Sequence, residues 1–459
     1  SGKGKEYAYR SYFGRVMYSY ADRYLFQANI RHDGSSRFAK KHRWGTFPSF
    51  SAGWVLSEEN FMKNLNWEWL SFLKIRATWG ALGNERIGDF PYMSTIAFGN
   101  TIFYQNNGIY FDQTASQQKY AIENVTWEKT ESTDIGLDIS FLNNRLRVNG
   151  DYYWKNTKDM LLAMAIPDFL GFSDPDVNAG KMSTKGYELN VSWNDHIGDF
   201  SYGIAINFSD FTSKMGDLQG TQFLGDKVKM EGSEFNEWYG YVSDGLFLTE
   251  EDLKNSPKIN DKNTQLGDIK YKDISGPDGV PDGKISPEYD RVLLGSSLPH
   301  FLYGGNINLG YKNFDLSLAF QGVGKQNARL AREMVEPFRN NYGNFPAIID
   351  GNYWSPYNTD EQNAVAKYPR LTHVNKSSNY AMSDYWLFNG GYFRLKNITL
   401  GYTFPKEWMN AIGIKGARIY ASASDLFCLS KYPKGWDPEM GVSEYPITTS
   451  ILLGVSVNF

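Results

Sequence analysis

From Leu146 the chain alternates. Leu146, Val148, Gly150, Tyr152 and Trp154 fall on one side of an extended backbone, and Arg147, Asn149, Asp151, Tyr153 and Lys155 fall on the other. A period of two marks a β-strand with unlike faces. The same pattern sets Tyr187, Leu189, Val191 and Trp193 against Glu188, Asn190, Ser192 and Asn194. It recurs through 200–212, 301–311 and 313–322, and in the closing run Ile451, Leu453, Val455, Val457, Phe459. Thirteen segments are predicted as strands, near 10–20, 23–33, 46–56, 71–82, 131–142, 145–157, 185–194, 200–212, 301–311, 313–322, 391–403, 416–426 and 450–459. Helical spacing is confined to 60–70 and 406–412. One strand conflicts with itself: within 391–403, Arg394 and Lys396 share a face with Ile398, Leu400 and Tyr402.

The connections sharpen the prediction. Tight ones fall at 21–22, 143–144, 195–199 and 312–313, with medium ones at 57–70 and 404–415. Long ones fall at 83–130, 158–184, 213–300, 323–390 and 427–449, and the short and long classes alternate in order. Short turns on the periplasmic side and long loops outside are the asymmetry of an outer-membrane barrel. Most segments also match the ~9–11 residues of a tilted spanning strand. Backbone groups in hydrocarbon must be paired within the protein, so strands can span only as a closed barrel. The apolar row would then face lipid, with Tyr and Trp near strand ends as interfacial girdles, and the polar row would face a wet lumen. A soluble β-sandwich, the competing architecture, would mix connection lengths without parity. Bacterial single-chain barrels have even strand numbers, so thirteen leads us to expect at least one more strand upstream of Ser1.

Composition removes other classes. Of 459 residues 16% are aromatic, which excludes a disordered chain. A net charge of −4 gives no nucleic-acid footprint, and no apolar run approaches the ~20 residues of a membrane helix. The one cysteine, Cys428, permits neither an internal disulfide nor a cysteine-based zinc site. The five histidines form no metal-spaced pair, and neither a Gly-x-Ser-x-Gly elbow nor a phosphate-binding loop occurs, so no enzyme is expected.

Several stretches carry a resemblance. Arg31-His32-Asp33-Gly34-Ser35-Ser36-Arg37-Phe38, then Arg43-Trp44-Gly45-Thr46-Phe47-Pro48-Ser49, resembles the SusC/RagA family of TonB-dependent outer-membrane transporters. So do Leu73-Lys74-Ile75-Arg76 through Gly80, Asn178-Ala179-Gly180, Gly267-Asp268-Ile269-Lys270-Tyr271, Tyr392-Phe393-Arg394-Leu395-Lys396-Asn397 and Asp437-Pro438-Glu439, in that order along the chain. The resemblance implies an all-β transmembrane antiparallel barrel of about twenty-two strands around a plug. Residues 1–459 would be its C-terminal portion, with the plug and the first strands outside this chain. It also implies an outer-membrane location, energy coupling through TonB, and a SusD-like surface lipoprotein seated on the loops. The implied function is active import of a nutrient, foremost a glycan or oligosaccharide. A peptide importer of the same family, a passive porin and a surface ligand-binding barrel are the alternatives.

Two sets of loop residues are candidate sites. Sugars stack their C–H faces on aromatic rings, and polar-tipped aromatics also suit protein interfaces. Trp127, Trp238, Tyr239, Trp354, Tyr385 and Trp386 lie in or beside the long loops. The acidic, glycine-turned stretch 273–290 suggests a Ca²⁺ loop with Asp273, Asp278, Asp282, Glu288 and Asp290 as ligands. Its spacing departs from a strict EF-hand, and Gly/Asp turn chemistry is the competing explanation.

Overall fold

The computed structural model describes residues 6–105, 108–117, 120–164, 169, 171–172, 174–218, 220, 225–339, 345–441 and 444–459. Thirteen strands form one antiparallel sheet in sequence order. They are β1 (Tyr9–Tyr20), β2 (Tyr24–Ser35), β3 (Trp44–Val55), β4 (Leu70–Asn84), β5 (Glu128–Phe141), β6 (Leu146–Lys158), β7 (Met182–Ile197) and β8 (Phe200–Met215). The rest are β9 (His300–Tyr311), β10 (Phe314–Lys325), β11 (Tyr392–Thr403), β12 (Gly416–Ser430) and β13 (Ser450–Asn458). Every predicted strand is present. Several run further on the long-loop side, where pairing continues after the apolar alternation has stopped.

The chain divides into two compact units, one of residues 1–191, 211–222 and 230–232, the other of 192–210, 223–229 and 233–459. Residues directly opposite in a ladder share a face, so the register tests the alternation. In the first unit Tyr20, Tyr24, Trp54, Ile75, Leu137 and Gly150 pair successively across the sheet. The other face carries Met17, Gln27, Ser51, Thr78, Asp134 and Tyr153 in the same way. In the second unit Ile204, Ile307, Leu318, Ile398, Ala423 and Ile451 form an apolar row, backed by Ala205, Asn306, Ala319, Asn397, Ser424 and Ser450. Tyr18, Phe26 and Leu453 of the apolar face are exposed side chains. A continuous exposed apolar face of this kind calls for an apolar surrounding.

The conflict in 391–403 is resolved by a bulge. Ala319 and Phe320 oppose Asn397 and Leu395, so Lys396 is passed over in the ladder, and Asp425 and Leu426 are passed over on the β12 side. Asp425 takes φ 49° there. A bulge shifts the two-residue phase. Below it Ile398 and Leu400 lie on the apolar face; above it Leu395 pairs with Phe320 and Phe427, while Arg394 pairs with Gln321 opposite Cys428. Arg394 thus points to the polar side, as the chemistry requires.

The tight turns use left-handed residues, among them Ala21, Asp22, Asn143, Asn144 and Lys312, the backbone that two- and three-residue hairpins demand. The helices at Asn60–Asn64 and Lys406–Ala411 fall where predicted. Other short ones, at Glu250–Asn255 and Asp360–Ala364, were not expected. Both carry a readable start: Thr249 accepts from the Asp252 amide, and Thr359 with Gln362 makes a capping box.

Candidate functional site

The long loops of the second unit fold around a hydrophobic core of their own. Tyr241, Ile269, Tyr271, Val335, Ile349, Tyr380 and Trp386 are buried together. Trp386 lies stacked on Tyr380, with centroids 5.2 Å apart, and its indole N–H donates to the Asn379 carbonyl at 2.9 Å. Burial pushes the Tyr271 and Tyr385 phenols up from their ordinary range.

At the centre of this core sits Asp268, with no exposed surface. One carboxylate oxygen accepts from Arg370 Nε at 2.7 Å and Asn379 Nδ2 at 2.9 Å. The other accepts from Asn375 Nδ2 at 2.7 Å, the Gln265 amide at 2.9 Å and an Arg370 terminal nitrogen at 3.1 Å. Asn379 in turn accepts from the Ile269 amide at 3.0 Å. A buried charge is tolerated only when paired and hydrogen-bonded, and here every lone pair is used. The neighbouring Gly267 has φ +82°, and a Cβ on it would lie 2.3 Å from the Trp354 indole. Glycine at this position is what seats Trp354.

Trp354 forms one wall of an open cleft of about 750 Å³, together with Tyr353, Pro356, Tyr357, Glu250, Gln265, Leu266, Arg370 and Leu371. Tyr357 is 95% exposed. Arg370 is committed to Asp268, so the cleft combines aromatic faces with the neutral amide of Gln265 and the carboxylate of Glu250. That suits a ligand with many hydroxyls and apolar ring faces.

The other predicted aromatics make contacts within the protein. Trp127 is 2% exposed, in the first unit, packed on Phe38 and Phe47 with its indole N–H on the Arg43 carbonyl at 3.0 Å. Trp238 donates to the Asn327 carbonyl at 2.6 Å, with Lys227 over its ring at 4.6 Å. Tyr239 lies under the Arg291 guanidinium at 4.5 Å. The Tyr385 hydroxyl donates to the Lys367 carbonyl at 2.8 Å. Of the six, Trp354 reaches a cleft.

The acidic loop winds around Asp290, whose carboxylate accepts from the amides of Ile274 at 2.8 Å, Ser275 at 3.3 Å and Ser286 at 2.7 Å. Asp273 accepts from the Gly283 amide at 2.5 Å and Asp282 from the Lys284 amide at 3.0 Å. Asp278 and Glu288 are exposed. Among the described residues no three carboxylates, imidazoles or thiols gather as a metal cluster. Of the five carboxylates expected as calcium ligands, Asp273, Asp282 and Asp290 accept from the loop's own backbone amides.

Residues 2–426 match the family model described as TonB dependent receptor-like, beta-barrel. The chain belongs to that family. TonB-dependent receptor SusC of Bacteroides thetaiotaomicron is 32% identical over 98% of this chain, and TonB-dependent receptor P3 of Formosa agariphila is 31% identical over 94%. This chain spans 43% and 42% of those two relatives. The solved RagAB peptide transporter has the same fold, with a TM-score of 0.79 over 99% of this chain and 47% of its own, at 23% identity. Members of the family are outer-membrane proteins, and the two-faced sheet is the outer-membrane wall of this one.

Within this TonB-dependent receptor barrel, the stretches that carried the resemblance hold parts together. Asp268 and Gly267 organise the loop core, and Phe38 packs the cluster around Trp127. Arg394, 3% exposed, binds Asp437 through one terminal nitrogen at 2.6 and 2.5 Å and Glu439 through Nε at 2.6 Å. Lys396 completes the set, 2.6 Å from Asp425. The loop after β12 is thereby latched to the polar side of β11. Sequence alone did not couple these two motifs, although opposite charge in both was the available signal.

Proposed function

We propose that this chain is the C-terminal part of the barrel of an active outer-membrane importer. The plug and the remaining strands, towards about twenty-two, would lie upstream, and the chain would act in transport rather than catalysis. Family membership over residues 2–426 supports import of a nutrient. The observation that carries the substrate reading is the cleft lined by Trp354, Tyr357, Gln265 and Glu250. Aromatic faces beside hydroxyl-binding groups favour a glycan or oligosaccharide. A SusD-like surface lipoprotein would close over the loops, and TonB would act through the upstream plug. Active import fits the physics, because a lumen wide enough for an oligosaccharide must stay blocked between events.

The test is growth of a strain deleted for the whole gene on single glycans and on peptides, with radiolabelled uptake measured with and without TonB. Loss of growth on one glycan class, with TonB-dependent uptake, is the expected result. A defect on peptides alone would replace the glycan reading, and TonB-independent uptake would indicate a passive pore.

A further inference from the structure

The connection between β3 and β4 lies on the short-turn side of the sheet, the periplasmic side on the function proposed above, yet it is longer than the turns beside it and carries Phe61, Leu65, Trp67 and Trp69, all substantially exposed. Its two ends are fastened to the rim of the lipid-facing wall. At the first end Glu59 is buried and accepts from the Tyr24 hydroxyl at 2.5 Å, the Trp54 indole N–H at 3.0 Å and Arg23 at 3.2 Å. Tyr24 and Trp54 are the paired outer-row residues at the periplasmic end of β2 and β3, with rings 6.5 Å apart and nearly parallel. At the second end Trp69 stacks on Phe141, the last outer-row residue of β5, at 5.7 Å, and on Trp67 at 5.2 Å. The Trp69 carbonyl also accepts from the Leu142 amide at 2.8 Å.

We propose that this connection is an in-plane anchor in the periplasmic leaflet, its apolar side chains seated at the headgroup–acyl boundary. Its depth follows from its fastenings. Glu59 can reach the polar tips of Tyr24 and Trp54 only at the level where those tips leave the hydrocarbon, which is where girdle aromatics sit. A segment held at that level, continuous with the lipid-facing row, presents its exposed Phe, Leu and Trp to lipid. Indole rings favour this zone because one end is apolar and the other donates to headgroups. The polar positions Glu58, Lys63, Asn64, Asn66 and Glu68 are interspersed with the apolar ones, and Lys63 pairs with Glu58 at 2.7 Å. The occupant is therefore the phospholipid interface.

The experiment uses the full-length transporter in phosphatidylethanolamine/phosphatidylglycerol nanodiscs, with native cysteines replaced, Cys428→Ser included. An environment-sensitive fluorophore is attached after Leu65→Cys or, separately, Phe61→Cys, with Asn144→Cys in a tight periplasmic turn as the aqueous reference. Each variant must keep heat-modifiable migration, the sign of a folded barrel. The expected result is at least twofold quenching of the Leu65 and Phe61 labels by shallow nitroxide lipid, with iodide quenching at least threefold weaker than at Asn144. Iodide quenching equal to that at Asn144, without lipid quenching, overturns the proposal. So does shielding seen in cells but lost in nanodiscs, which would mean a periplasmic protein covers the segment.

Discussion

The guanidinium of Arg370 meets the carboxylate of Asp268 at two points, 2.7 and 3.1 Å apart, inside the loop core. That pair is the hinge pin of the second unit's loops, because the same carboxylate also holds Asn375, Asn379 and the Gln265 amide. Arg370→Ala would leave a buried charge short of its main partner, a loss of about 3–5 kcal/mol. Limited proteolysis should then cut within 250–380 while the barrel stays heat-modifiable. Unchanged protection would show that the pair is dispensable.

Trp354 offers the sharper functional test. Trp354→Ala removes one wall of the cleft and leaves Asp268 untouched. We expect roughly tenfold weaker binding of the ligand that supports growth, about 1.4 kcal/mol, with the melting temperature nearly unchanged. Gly267→Ala should give the same binding defect through displacement of the indole, plus destabilisation, since its φ of +82° is strained for a side chain. Titration calorimetry with the ligand that supports growth measures the binding of both variants, and thermal melting measures their stability.

Glu336 predicts a pH dependence. Burial alone would raise its carboxyl, but Arg332 at 2.6 Å and Lys376 at 3.2 Å outweigh this and hold it below the ordinary carboxylate range. A depressed folded pKa means the stabilisation is present above the unfolded value, about 4.3, and is lost as pH falls through the lower folded value. Glu336→Gln should therefore lower the melting temperature at pH 7, and the gap to wild type should close as the pH falls below the ordinary carboxylate range. A gap that stays constant would count against this.

Arg394 should govern the last long loop. Arg394→Ala leaves Asp425, Asp437 and Glu439 with Lys396 as their remaining cation from this cluster. Hydrogen exchange across 431–441 is expected to speed up at least tenfold, while exchange in β9 and β10 holds. Equal rates in both proteins would remove the latch.

For the acidic loop, Asp290→Ala should lower the melting temperature, because three backbone amides lose their acceptor. Millimolar calcium is expected to leave the wild-type melting curve in place. A calcium-dependent rise abolished by Asp282→Asn would establish the loop as a metal site.

The wall was legible because lipid on one side and water on the other leave no freedom in the side-chain period. Val148 and Tyr152 could not change face without placing Asn149 and Asp151 in hydrocarbon. The alternation failed where a ladder skips residues: nothing in Arg394 or Lys396 announces that Asp425 will bulge opposite. The loops were less legible for a different reason. A loop region this large builds its own interior, so an aromatic side chain there has two destinations. Trp386 and Trp127 went to cores, Trp354 to a cleft, and residue type alone carries no signal of which. The short helix at Asp360–Ala364 was readable from Thr359 and Gln362, and was missed because no apolar stripe accompanies it.

The skipped residues on β11 and β12 act as a clutch between two halves of the same strands. Below them each side chain is bound to the solvent on its side. Above them the phase has been reset, so insertions in the upper halves could redirect side chains on the polar face and leave the lower, two-faced part of the sheet undisturbed.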